Sequence, residues 1–298
     1  MTAPAVVVLG PTASGKSDVA MAAARTVAGT EIVAVDAMQV YRGMDIGTAK
    51  PTAADQAAVP HHGIDLVDPD VDFTVADYQR AYDSAVAAIS GRPLLVAGTG
   101  LYLSAVVDRL AVPGQWPAVR AQLERVEDVS ELWTRLGELD PVAATRIEPA
   151  NRRRIVRALE VTVGSGRPFS SYGPGLQAYP PSDVRLLGLR WPRDALAARI
   201  ERRVEAMMAA GLLDEVERLA GRGLSRTAAQ ALGYKELLAH LHGQVGLDEA
   251  VATIVRRTRQ FAVRQERWFR RDPRVRWFDI DRDPVAEVAP VVVAALRT

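Results

Sequence analysis

The sequence predicts an α/β fold: a P-loop-type parallel sheet flanked by helices, with an all-helical subdomain inserted into it. Three observations predict it. The apolar run Ala5-Val6-Val7-Val8-Leu9 leads straight into Gly10-Pro11-Thr12-Ala13-Ser14-Gly15-Lys16-Ser17, the G-x-x-x-x-G-K-S spacing of a phosphate loop, and a helix-like segment follows at 18–28. Strand-like and helix-like stretches then alternate up to about residue 110, as crossovers between parallel strands require. From about Val112 to about Pro181 the strand signals stop and the pattern is helical.

Taken in order, residues 31–35 form the second strand, 74–89 an amphipathic helix, and 93–97 a third strand that runs into the tight turn Gly98-Thr99-Gly100. The insertion carries helical stretches at 117–129, 131–139, 140–147 and 151–163, and the Gly-, Pro- and Ser-rich stretch 164–181 leads back. The sheet resumes at 184–189. A strongly periodic helix covers 192–210 and ends at Gly211, three helix-like stretches follow, the longest from 247 to about 271, and 274–280 is a last short strand. The expected domains are 1–112 with 182–298 as the catalytic core, and 113–181 as the helical insertion.

Composition excludes several classes. At 298 residues and 48% hydrophobic the chain can bury a substantial core, and the absence of cysteine removes disulfides and thiolate chemistry. The longest apolar runs, such as 288–296, fall far short of the roughly 20 residues that span a bilayer. With a strand opening at once and no room for a signal peptide ahead of it, the expected compartment is the cytoplasm. The net charge of +1 conceals a division: residues 1–112 carry 7 basic and 12 acidic residues, net −5, and the remainder 30 and 24, net +6. Arginines cluster at Arg152-Arg153-Arg154 with Arg157, and again along 256–271 among Phe261, Trp268 and Phe269. Arginines beside aromatics suit phosphate backbones and unstacked bases, although a helix with a packed aromatic face and a solvated basic one has the same composition.

The phosphate loop is expected to bind oligophosphate through residues 10–17. Its backbone N–H groups line a concavity at a helix N-terminus, Lys16 adds a point charge, and the Ser17 hydroxyl can hold Mg²⁺. In an open parallel sheet, ligands collect at the carboxyl ends of strands, so the loop should share a cleft with 36–39 and 98–102. Asp36 at a strand tip could accept a proton, or could be a turn aspartate. The candidate Walker-B strand 94–97 runs into Gly98-Thr99-Gly100 without a carboxylate, which speaks against an ATPase motor and leaves a small-molecule kinase open. His61-His62 reads as structural, because adjacent histidines point apart and no third ligand is suitably spaced.

The phosphate loop, the block Asp36-Ala37-Met38-Gln39-Val40-Tyr41-Arg42-Gly43-Met44-Asp45-Ile46-Gly47-Thr48-Ala49-Lys50-Pro51, Gly98-Thr99-Gly100-Leu101-Tyr102, Arg154-Ile155-Val156-Arg157 and Gly233-Tyr234-Lys235-Glu236 together resemble the tRNA dimethylallyltransferases. The resemblance covers nearly the whole chain in the family's order. It implies transfer of a dimethylallyl group from dimethylallyl diphosphate to N6 of the adenosine 3′-adjacent to the anticodon in tRNA. Asp36 is then the general base, with Thr99 and Lys16 beside it. Residues Gly10, Pro11, Thr12, Ala13, Ser14, Gly15, Lys16 and Ser17 hold the diphosphate where other P-loops hold a nucleotide such as ATP, with Mg²⁺ on Ser17. The resemblance places tRNA contacts at Asp36, Ala37, Met38, Gln39, Thr99, Arg120, Arg153, Arg154 and Arg157. Competing readings are an ATP-dependent kinase, an enzyme that prenylates free adenine nucleotides, and a non-enzymatic RNA-binding protein.

Overall fold

The structure is a computed structural model that describes residues 5–173, 175, 176 and 178–298. Six strands form one all-parallel sheet: β1 (Val6–Leu9), β2 (Thr30–Val35), β3 (His61–His62), β4 (Arg92–Ala97), β5 (Arg185–Arg190) and β6 (Val275–Asp279), in the spatial order β3-β2-β4-β1-β5-β6. The chain leaves β1, pairs β4 between β2 and β1, and then crosses to place β5 on the other side of β1. Ligands in such sheets sit outside the carboxyl ends of the strands, near this switch. Because every pair is parallel, the segments after β1, β2, β4 and β5 all emerge at that one edge.

Side chains alternate across the sheet with period two, and each face has its own core. Val7, Leu9, Val33, Val35 and Leu95 pack with Tyr78, Tyr102, Val216 and Tyr234. Val6, Val8, Ile32, Leu94 and Val96 pack on the opposite face with Val19 and Ala20 of α1 (Lys16–Thr26) and Val288 and Val292 of α13 (Pro284–Arg297). β1 is apolar at every position because helices cover both faces, as buried parallel strands require.

The chain forms two compact units, one of residues up to Val107 together with Tyr179–Thr298, the other Asp108–Ala178. The first also contains α2 (Ala53–Ala58), α3 (Val75–Ala88), α4 (Gly100–Val107), α9 (Arg193–Ala209), α10 (Leu212–Ala220), α11 (Tyr234–Leu241) and α12 (Leu247–Phe269). The second consists of α5 (Pro117–Glu124), α6 (Val129–Leu139), α7 (Pro141–Arg146) and α8 (Arg152–Ser165) around Leu123, Leu132, Leu136, Ile155 and Leu159.

Two expectations need adjusting. The helix expected over 117–129 stops at Glu124, because the Arg152 guanidinium takes the carbonyls of Glu124, Val126 and Glu127 as acceptors and so turns them out of a continuing helix. His61-His62, which carries no strand pattern, is a two-residue edge strand against Ile32 and Val33, with His61 Nδ1 2.7 Å from the Val59 carbonyl and His62 Nε2 2.7 Å from Glu31. Among the described residues no helix is long and apolar enough to cross a membrane.

Candidate active site

The phosphate loop is built by what lies behind it. Ala13 and Gly15 both take left-handed backbone angles, φ 63° and 89°. A side chain on Gly15 would meet Pro284 at 2.6 Å, so glycine is required there twice over. The Ala13 carbonyl accepts from Arg199 Nε at 2.8 Å and the Ser14 carbonyl from Trp191 Nε1 at 2.9 Å, while the Arg199 guanidinium lies 4.4 Å over the Trp191 ring. With the Ser14 carbonyl held outward, the Gly15 N–H of the same trans peptide points the other way. The first turn of α1 begins at Lys16, and its free N–H groups favour an anion.

These residues open on a cavity of about 640 Å³, faced by Lys16, Ser17, Arg199, Arg202 and Arg203. Burial, with the Arg203 charge beside it, pulls the Lys16 ammonium down to about 8, against the opposing carboxylates of Asp36 and Asp18. Burial also lowers Arg203, which the same two carboxylates partly offset. Among the described residues the Arg203 guanidinium has no carboxylate within ion-pair distance and no hydrogen bond. Two desolvated cations side by side are unfavourable alone and favourable around a bound polyanion.

Asp36 divides its carboxylate between two tasks. Oδ1 accepts the N–H groups of Met38 at 2.8 Å and Gln39 at 3.4 Å, which is the turn-aspartate role. Oδ2 is turned toward Gly98: a methyl on that glycine would stand 3.1 Å from Oδ2 and 3.6 Å from Lys16 Nζ. Asp36 is not part of the cavity wall. It lies one residue beyond the end of β2 and two beyond Ala34, which does line the cavity. Thr99 Oγ1 accepts from the Ala37 N–H at 3.2 Å, so Thr99 and the residues after Asp36 are tied together. Gln39 lines the cavity and donates to the carbonyls of Thr48 and Ala49.

Three further residues set this geometry, and their spacing in the sequence did not reveal them. Gln265 of α12, buried, accepts from the Thr12 N–H at 2.9 Å and donates to the Gly98 carbonyl at 2.7 Å, bridging the phosphate loop to the turn after β4. One turn on, Trp268 packs directly on Gly100. Glu215 of α10, buried, accepts from the N–H groups of Asp45, Ile46 and Gly47 at 2.8–3.1 Å and from the Tyr234 hydroxyl, whose ionisation burial pushes upward. Lys50 closes the same loop on Asp45, Asp65 and the Tyr41 carbonyl.

The IPP transferase family model matches residues 39–272. The chain belongs to the IPP transferase family. As an IPP transferase it is 46% identical to the tRNA dimethylallyltransferase of Desulforudis audaxviator, over 97% of this chain and 96% of that one. It is 49% identical to the tRNA dimethylallyltransferase of Kineococcus radiotolerans, over 98% of each. Among solved structures it is similar to the full-length tRNA isopentenylpyrophosphate transferase of Bacillus halodurans, 38% identical with a TM-score of 0.70 over 99% and 97% of the two chains. It also shares the fold of a eukaryotic dimethylallyltransferase captured acting on tRNA, with a TM-score of 0.82, 23% identity, and 98% and 78% of the two chains covered.

In this IPP transferase the clustered arginines divide by partner. In the helical unit Glu160, 1% exposed, accepts from the Trp116 N–H at 2.9 Å and pairs with Arg157 at 3.0 Å and Arg120 at 3.4 Å. Arg153 and Arg154 are exposed. On α12, Arg257 pairs with Glu236 and Arg259 with Glu201, while Arg264 and Arg271 lie over Phe261 and Trp268. Phe269 is core, whereas Phe261 and Trp268 are half-buried. Arg199 and Arg203 lie outside both clusters. Their signal in the sequence was the four-residue spacing that puts both on one face of α9.

Proposed function

We propose that this protein transfers a dimethylallyl group from dimethylallyl diphosphate to N6 of the adenosine 3′-adjacent to the anticodon in tRNA, releasing pyrophosphate. The observation that carries the reading is the convergence at Gly98, where an ammonium from the phosphate loop and a carboxylate oxygen from the neighbouring strand tip face the same small gap. A kinase can use the same pair, with the carboxylate orienting an acceptor hydroxyl, and the match to the IPP transferase family favours prenyl transfer over it.

The diphosphate lies against the loop, with Lys16, Arg199 and Arg203 around its oxygens. As the C1–O bond breaks, the departing electron pair ends on pyrophosphate, which those cations stabilise. N6 forms the new bond to C1, and its proton passes to Asp36 Oδ2 while Thr99 orients the amine. Among the described residues no group of His, Cys, Asp or Glu could hold a metal alone. The Ser17 hydroxyl, which lines the cavity beside Lys16, fits Mg²⁺ as a single protein ligand, because this ion commonly keeps waters and substrate oxygens in its shell. When bound there, Mg²⁺ neutralises leaving-group charge.

The adenosine must be unstacked to reach Asp36, at a cost of about a few kcal/mol that backbone contacts offset. Residues 37–39 meet the extruded nucleotide, and Arg120, Arg153, Arg154 and Arg157 of the helical unit bind the anticodon arm. The substrate carries with it a cytoplasmic setting. The test incubates the protein with Mg²⁺, labelled dimethylallyl diphosphate and unmodified tRNA, beside free AMP and ATP-only controls. Label in tRNA is expected; label in AMP alone, or ATP consumption without prenylation, overturns the reading.

A further inference from the structure

The loop that follows the strand-tip aspartate is fastened from outside the cavity. Glu215 of α10 and Tyr234 of α11 are buried, and neither lines the cavity. Glu215 Oε2 accepts the N–H groups of Asp45 at 3.0 Å and Ile46 at 2.8 Å, and Oε1 accepts the Gly47 N–H at 3.1 Å and the Tyr234 hydroxyl at 2.5 Å. A carboxylate offers about four lone-pair sites, and here each has a donor, as a buried charge requires. The Tyr234 ring packs on Gly47, where a methyl would meet it at 2.5 Å. The next two carbonyls, of Thr48 and Ala49, accept from Gln39 Nε2 at 3.1 and 3.2 Å. Gln39 lines the cavity, and its backbone N–H reaches Asp36 Oδ1.

We propose that Glu215 is a positioning residue for the acceptor: through residues 45–49 it sets the angle of Gln39 and of the turn on Asp36, and the phosphate loop is independent of it. The inference rests on the transferase reading, in which residues 36–39 meet the extruded adenosine, and adds the remote group that holds them. Both hydrogens of Gln39 Nε2 are spent on carbonyls that begin one residue after Gly47, so any shift of residues 45–47 turns the Gln39 amide with it. Among the described residues no hydrogen bond joins Glu215, Tyr234 or residues 45–49 to the phosphate loop, whose side-chain anchors are Gln265, Trp191 and Arg199. Lys50 holds Asp45, Asp65 and the Tyr41 carbonyl without Glu215, so the loop stays closed when the glutamate is changed and loses only its placement. A misplacement of about 1 Å in a site of this kind costs about 10²-fold in rate.

The test uses the full-length protein, unmodified tRNA and labelled dimethylallyl diphosphate, with pyrophosphate affinity, Tm and amide hydrogen exchange measured beside it. In Glu215→Gln, whose amide turns a donor toward backbone N–H groups, kcat/KM for tRNA should fall about 10²-fold while pyrophosphate binding stays within about twofold. In Tyr234→Phe, which keeps the ring on Gly47 and removes one donor, the loss should be about tenfold, and this variant carries the test if Glu215→Gln does not fold. The deciding arm is a double-mutant cycle: in a Gln39→Ala background either substitution should cost less than about twofold more, because the link is already cut. The amide hydrogens of residues 45–47 should exchange faster in both variants. A lower Tm with normal turnover per folded molecule, losses that add to those of Gln39→Ala, an equal loss of pyrophosphate affinity, or unchanged exchange at 45–47 each overturns the proposal. Absence of tRNA prenylation by the unaltered protein sinks the transferase reading instead, and the exchange arm still tests the hold on the loop, so the two failures are told apart.

Discussion

The guanidinia of α8 and α9 look alike in the sequence and behave differently in the fold. On α8, Arg152 is spent on three carbonyls and Arg157 on a buried glutamate, and Arg153 and Arg154 project into solvent. On α9, Arg199 braces the phosphate loop, and Arg203 is desolvated with, among the described residues, no carboxylate within ion-pair distance. A paired cation performs a structural task. An exposed one acts through a screened field, which suits a nucleic-acid backbone. A desolvated cation with no anion beside it raises the energy of the empty protein and repays that only when a polyanion arrives. Local density of arginine in the chain therefore says less about the diphosphate than the lack of a partner at one isolated residue.

The largest expected effect is at Asp36, the carboxylate that faces Lys16 across Gly98. Asp36→Asn should keep tRNA and pyrophosphate affinity and lose about 10²–10⁴-fold in kcat, measured by single-turnover prenylation. Turnover at the level of the unaltered protein would remove Asp36 as the base. Next comes Arg203→Ala, for which pyrophosphate affinity and kcat/KM for the donor should fall about 10²-fold with tRNA affinity unchanged. If calorimetry finds pyrophosphate bound as before, the unpartnered guanidinium is not part of the seat.

The pH dependence sharpens the same point. Free Lys16 titrates at about 8, and a bound anion raises it, so below pH 8 the ammonium is already charged and affinity is flat. Above it, binding must take up a proton, and pyrophosphate affinity should fall about tenfold per pH unit relative to Lys16→Gln, a reference that cancels the titration of the ligand. A difference curve that stays level between pH 8 and 9.5 would contradict this. For folding the sign is opposite: the cost of burying the charged amine is full below pH 8 and is relieved as pH rises toward the ordinary lysine value of 10.5.

The smallest effects belong to the exposed residues. Arg153→Ala and Arg154→Ala should each weaken tRNA binding by about three- to tenfold, flatten its salt dependence by roughly one phosphate contact, and leave pyrophosphate binding unchanged. Arg157→Ala should differ in kind by also lowering Tm, because it takes one of two cations from buried Glu160. An identical profile for all three would erase the distinction between structural and solvent-facing arginines.

The sequence by itself determined the parallel α/β plan, the phosphate loop and the strand tip that carries Asp36. All three are local: an apolar run, a glycine spacing and a polar residue at a strand end are written in neighbouring positions. The edge strand at His61-His62 and the stop of α5 at Glu124 were not legible, since each depends on a hydrogen-bond partner distant in the chain. The same holds for the site. Only the tertiary structure decided that Gln265 spans Thr12 and Gly98, that Glu215 fastens residues 45–47, and that Arg203 comes to rest beside Lys16. Contacts between residues some 170 to 250 positions apart leave no periodicity to read, because what selects them is burial and the need to satisfy polar groups once water has been excluded.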